Sequence, residues 1–74
     1  MHNLHIRFDG LSSREREVMT LVTAGWMNKQ AAAEIGISEI TVKVHRHNMM
    51  KKLSAKSVPD LVRMAGILGL PHKA

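Results

Sequence analysis

Cysteine is absent from the 74 residues, which excludes disulfides and thiolate metal sites. Tyrosine is absent as well, and the aromatic content is one phenylalanine, Phe8, and one tryptophan, Trp26. Proteins that grip single strands, and sheets that read RNA, stack bases on several aromatic faces. Two rings do not build such a platform, whereas duplex DNA needs none. No apolar run approaches the ~20 residues that span a bilayer, and no leader pattern opens the chain. The expected setting is soluble and cytoplasmic, with no membrane partner. A glycine-rich phosphate loop is missing, and so is a carboxylate pair in a chain long enough to enclose a substrate. An enzyme is therefore not expected, and no cofactor is implied.

Acidic residues are also scarce, six against eleven lysines and arginines, for a net charge of +5. The excess is uneven. In residues 1–37, Arg7, Arg14, Arg16 and Lys29 are balanced by Asp9, Glu15, Glu17 and Glu34. In residues 38–56, Lys43, Arg46, Lys51, Lys52 and Lys56 face Glu39 alone, five minus one, or +4. Such a stretch is either a solvated basic face or a surface for phosphates.

What is present reads as helix. Residues 1–10 show no clear period and end in the turn signal Asp9-Gly10, so they read as a linker or flexible arm. His2 and His5 in that arm read as two solvated histidines rather than metal ligands. Ser12-x-x-Glu15 is a capping box, and Val18, Leu21 and Val22 make one apolar stripe. These predict a first helix over about 13–24, closed by Gly25. Asn28 is the expected cap of a second helix of about two turns, stopped by Gly36. Ser38 caps a third helix over about 39–53. Ser57-x-x-Asp60 caps a fourth, with Pro59 in its first turn and Gly69 at its end. Strand-like alternation and repeats are lacking. The expected fold class is all-α, four helices, with residues 11–70 as the domain and 71–74 as a tail.

A short helix, a glycine turn and a longer basic helix make the layout of a helix-turn-helix, whose second helix can enter the major groove. On the third helix Val42, Met49 and Leu53 share one face; Lys43, Val44, His47 and Lys51 share the opposite one. Lys43 suits guanine O6 and N7, Val44 suits the thymine methyl, and His47 suits a base acceptor or a phosphate. Ser38 and Thr41 sit at the helix start, where hydroxyls and free N–H groups suit a phosphate oxygen; capping alone also explains them. His45 borders the core face and is about 200° around the helix from His47, so the two do not share a metal ion. Lys51 and Lys52 read as a solvated face with phosphate contact as the alternative, and Arg63 and Lys73 as solvated. Val58 and Val62, one turn apart and off the main stripe, form an apolar strip suited to a second copy.

Four blocks carry a wider resemblance: Leu11-Ser-Ser-Arg-Glu-Arg-Glu-Val-Met, Asn28-Lys-Gln-Ala-Ala-Ala-Glu-Ile-Gly-Ile-Ser, Thr41-Val-Lys-Val-His and Asn48-Met-Met-Lys-Lys-Leu. In this order and spacing the chain resembles the LuxR/GerE-type helix-turn-helix, the DNA-binding module of NarL/FixJ response regulators in two-component systems and of quorum-sensing regulators. The resemblance runs from about Leu11 to Leu68. It implies a sequence-specific double-stranded DNA-binding domain of a bacterial transcription regulator, working as a homodimer. Base contacts would fall to Lys43, Val44 and His47. Phosphate contacts would fall to Asn28 and Lys29, to Ser38 and Thr41, and to His45, Arg46 and Lys51. The fourth helix, with Val58, Val62 and Ala65, would form the dimer interface, and no metal is implied. If the chain is excised from a longer one, a receiver or ligand-binding domain would control it, and RNA polymerase is a possible partner. Three positions depart from the family: Ser13 stands for the usual proline, Met27 for the usual Ser or Thr cap, and Ala31 for a larger aliphatic.

Two other readings stay open. The chain resembles more weakly the promoter-reading domain of sigma factors, which would require RNA polymerase. It could also be a protein-interaction module built on the apolar strip of the last helix.

Overall fold

The computed structural model describes residues 3–70, so His2 and the expected tail at 71–74, Lys73 included, lie outside the described residues. Five helices follow in order: α1 (Asn3–Asp9), α2 (Ser13–Thr23), α3 (Asn28–Ile35), α4 (Glu39–Leu53) and α5 (Val58–Leu68). The expected four helices are all present as α2 to α5, within a residue or two of their predicted ends. The fifth is α1, in the segment read as linker or arm. No helix among the described residues is long and apolar enough to cross a membrane.

The helices begin where side-chain oxygens meet free backbone donors. The Glu15 N–H donates to Ser12 Oγ (3.1 Å) and the Ser12 N–H to Glu15 Oε1 (2.8 Å), so the capping box is complete. Ser38 Oγ accepts from the Thr41 N–H (3.1 Å) at α4, and Ser57 Oγ from the Asp60 N–H (3.2 Å) at α5. The cap of α3 differs from expectation. Met27 is the N-cap and Asn28 is already helical. The Met27 N–H is taken by Gln30 Oε1 at 2.9 Å instead. Gly36, at φ 72°, closes α3 in the left-handed region and makes the tight turn into α4.

The core is one cluster. Val18 and Met19 of α2, Val42, Met49 and Leu53 of α4 and Leu61 of α5 are completely buried. Ala31 and Ala32 supply the buried face of α3. With Ala31 where a larger side chain is usual, α3 backs closely onto its neighbours α2 and α4. Thus α1, α2 and α3 pack against α4 from behind, and α5 packs in turn against α1 and α2.

Tertiary contacts hold α1 in place, not its own periodicity. Leu4 is its one buried residue. Arg7 reaches the Leu53 carbonyl at the end of α4 (3.5 Å). Arg16 of α2 lies over the Phe8 ring, 4.7 Å from its centroid, and donates to the Asp9 carbonyl (3.2 Å).

A second tie runs from α4 to α2. Lys52, expected on the solvated face, turns back to Glu15 (Nζ–Oε1 2.8 Å). Glu15 is buried. Burial opposes ionisation of its carboxyl, but hydrogen bonds from Lys52 and the Ser12 backbone outweigh it and hold the pKa below the ordinary value. A depressed carboxylate stabilises the fold fully above the unfolded glutamate pKa, about 4.3. That stability is lost as the pH falls through the folded value. Acidification from about pH 5 to about pH 3 is therefore expected to lower the urea midpoint more for the native chain than for Glu15→Gln, the latter having no carboxyl to protonate. Parallel curves for the two would remove Glu15 from the acid response.

Candidate nucleic-acid interface

The two sides of α4 have opposite character. Val42, Met49 and Leu53 face the core with no exposure, while Ile40, Lys43, Val44, His47, Asn48 and Lys51 are all exposed. Ile40, Val44, His47 and Lys51 fall within about 60° of one another around the helix axis. Val44 is 52% exposed. The expected base-facing trio of Lys43, Val44 and His47 therefore shares one open surface.

Lys43 is not wholly free. Its Nζ lies 3.8 Å from Glu39 Oε2, one turn back, with both side chains well exposed. An i, i+4 pair of this kind is worth only a few tenths of a kcal/mol. It holds Lys43 loosely over the outer face and yields readily to a stronger acceptor.

The residues expected at phosphates frame this surface. Ser38 Oγ and Thr41 Oγ1 are 2.7 Å apart at the start of α4. Arg46 donates to Asn28 Oδ1 (2.9 Å), joining the middle of α4 to the start of α3. Asn28, the first residue of α3 and not its cap, thus turns its side-chain oxygen to Arg46. Lys29 is exposed beside it, and His45 is half-buried at the margin of α4. Lys51 is exposed at the far end, whereas Lys52 is tied to Glu15 on the other flank. Arg63, read as solvated, pairs with Asp60 on α5. His5 is exposed, and among the described residues no three His, Asp or Glu side chains gather as a metal set.

The expected dimer strip is arranged differently from its prediction. Val62 is exposed and Val58 half-buried, but Ala65 is buried in the chain's own core. Exposed Gly66 lies beside Val62 on the outer face, and a Cβ built there meets nothing within 4 Å.

Sequence reasoning missed Ile40. It is 73% exposed, the highest value among the exposed large hydrophobics, and lies one turn before Val44 on the same face. The signal was available in the i, i+4 spacing that already grouped Val44 with His47 and Lys51.

Comparisons with known proteins agree with this geometry. The model of the luxR family of bacterial regulatory proteins, GerE, matches residues 9–65. Nodulation protein W of Bradyrhizobium diazoefficiens is 54% identical over 68 residues, covering 92% of this chain and 30% of its own length. Response regulator protein TmoT of Ectopseudomonas mendocina is 54% identical over 61 residues, covering 82% of this chain and 28% of its own length. The structure of the response regulator StyR superposes with a TM-score of 0.86 at 47% identity, covering 89% of this chain and 33% of that one. The chain thus spans about a third or less of the relatives it matches. The family is one of regulators and not of enzymes. The chain belongs to the luxR family of bacterial regulatory proteins and is a LuxR-type helix-turn-helix DNA-binding domain of transcription regulation.

Proposed function

We propose that the domain reads duplex DNA by laying α4 in the major groove. The observation that supports this most directly is the two-sided character of α4, with a core face fully buried and an outer face open along about three turns from Ile40 to Lys51. The major groove, about 12 Å wide, admits one helix. Lys43, Val44 and His47 meet the base edges there. Ser38 and Thr41 approach a phosphate oxygen at the positive end of the helix. Asn28 and Arg46 act as one unit: Arg46 holds the Asn28 oxygen, leaving the Asn28 amide N–H groups for a phosphate. Lys29, Lys51 and the edge residue His45 complete the backbone contacts.

Two copies bind two-fold-related half-sites through α5. Val58 and Val62 supply the apolar contact, and the bare Gly66 lets the second backbone come near. Ala65, already buried, supports this strip from beneath. Because longer relatives such as TmoT are named response regulators, the domain works as the DNA-binding part of such a protein. A receiver or ligand-binding domain then controls it, and RNA polymerase is the downstream partner.

Titration of labelled duplexes at several salt concentrations, with random DNA and with a pool selected for binding, tests the reading. Enrichment of one half-site, two chains per full site and a steep salt slope are the expected results. Lys51→Ala is expected to weaken binding to both DNAs alike and to reduce the slope by about 1. An unchanged slope takes Lys51 out of the phosphate set. Absence of binding at low salt refutes the groove reading.

A further inference from the structure

We infer that Ile40 is a specificity residue of this domain, reading the C5-methyl group of a thymine one or two base pairs from the base met by Val44. The inference rests on the proposed placement of α4 in the major groove. Within that placement, four observations select Ile40.

It is 73% exposed although it is a large branched apolar side chain. Burying such a side chain would stabilise the fold, a gain that the free domain forgoes. It stands at the second position of α4, directly after Glu39 and two residues from the Ser38 cap. Recognition helices of helix-turn-helix domains bring their N-terminal residues nearest the bases. A β-branched residue gives no helix-forming advantage at that place, so local structure does not explain it. Its neighbours on the outer face are His47, Lys51 and Val44, within about 60° around the axis. The middle of the face is thus an apolar pair, Ile40 and Val44, flanked by polar and basic side chains.

An isoleucine neither donates nor accepts a hydrogen bond. The apolar group exposed on the floor of the major groove is the thymine methyl. Four residues of helix advance about 6 Å, and base pairs are stacked every ~3.4 Å. Ile40 and Val44 therefore address different base pairs, one or two steps apart, and specify thymine at both. Removing the methyl, as uracil does, deletes the proposed contact without altering Watson–Crick pairing.

The test uses the duplex enriched from a random pool, and the same duplex with each thymine replaced singly by uracil. Native chain and Ile40→Ala are titrated against all of them, with Val44→Ala in parallel. Alanine is the better helix former and the site is exposed, so the variant retains the fold; its melting curve confirms that. At one thymine the native chain is expected to lose about fourfold in affinity with uracil, the worth of one buried methyl at ~0.8 kcal/mol. Ile40→Ala should lose nothing further there, and should bind the thymine duplex more weakly than the native chain by a comparable factor. Val44→Ala should be insensitive at a different thymine. If native chain and Ile40→Ala respond equally to uracil at every position, Ile40 does not read a methyl and the inference fails while the groove reading stands. If the native chain binds no duplex, both fail.

Discussion

Leu53→Ala is expected to cost 2–5 kcal/mol of stability, the usual range for emptying a buried leucine site. Leu53 closes α4 with no exposed surface. At ~0.05–0.15 kcal/mol per residue, a chain of this length holds roughly 4–11 kcal/mol in all. The substitution therefore removes about half of the margin, and the melting temperature should fall by roughly 10 °C or more. Two further connections add to the loss of packing. The Leu53 carbonyl accepts from Arg7 of α1, and the adjacent Lys52 holds Glu15 of α2. A shift at the end of α4 thus loosens both ties across the back of that helix. Urea unfolding followed by far-ultraviolet circular dichroism measures the change. A loss below about 1 kcal/mol would mean that the neighbouring side chains collapse into the space.

These ties also show why one helix escaped sequence reasoning. The helices α2, α4 and α5 open on a serine cap and carry an apolar stripe, and α3 ends at the left-handed Gly36. In α1 one residue of seven is buried, Leu4, and a single position defines no period. It is held by partners outside the helix, namely the Leu53 carbonyl 46 residues from Arg7 and the guanidinium of Arg16 over Phe8. The tie of Lys52 escapes in the same way: the residue is exposed, as its sequence position suggests, but its partner Glu15 is 37 residues distant. Asn28 reads as a cap because it is the nearest capping residue type before the helix, and only the packed α3–α4 pair shows Arg46 claiming its oxygen.

The exposed face of α4 was more legible than its surroundings. A face opposite a core stripe follows from helix period alone, so Lys43, Val44 and His47 could be grouped once Val42, Met49 and Leu53 were assigned to the interior. Ala65 belongs to the apolar stripe of α5, with Leu61 and Met64, and that stripe faces inward, so it lies beneath the expected dimer strip and not on its surface. The outward apolar positions of α5 are Val62 and, beyond it, Ile67 at 49% exposure.

Lys43→Ala is expected to weaken binding to the preferred site by about 1–3 kcal/mol, five- to 150-fold, the range for a good base contact. The loss on random DNA should be several times smaller. The geometry explains the asymmetry. In the free domain Lys43 lies 3.8 Å from Glu39, and an exposed pair of this kind is worth less than 1 kcal/mol. On random DNA the lysine keeps this partner or exchanges it for a phosphate, and little is gained. On a site with guanine at the matching position, O6 and N7 offer two acceptors in a desolvated groove, and the exchange becomes favourable. Glu39 then stands one turn away, free to repel phosphate or to accept from a cytosine amino group. It follows that Glu39→Gln should raise affinity for random DNA more than for the preferred site, narrowing the ratio that Lys43 widens. Parallel titrations of the native chain and the two single variants on both DNAs decide this. Equal losses for Lys43→Ala on both would make Lys43 a phosphate ligand and leave base discrimination to Ile40, Val44 and His47.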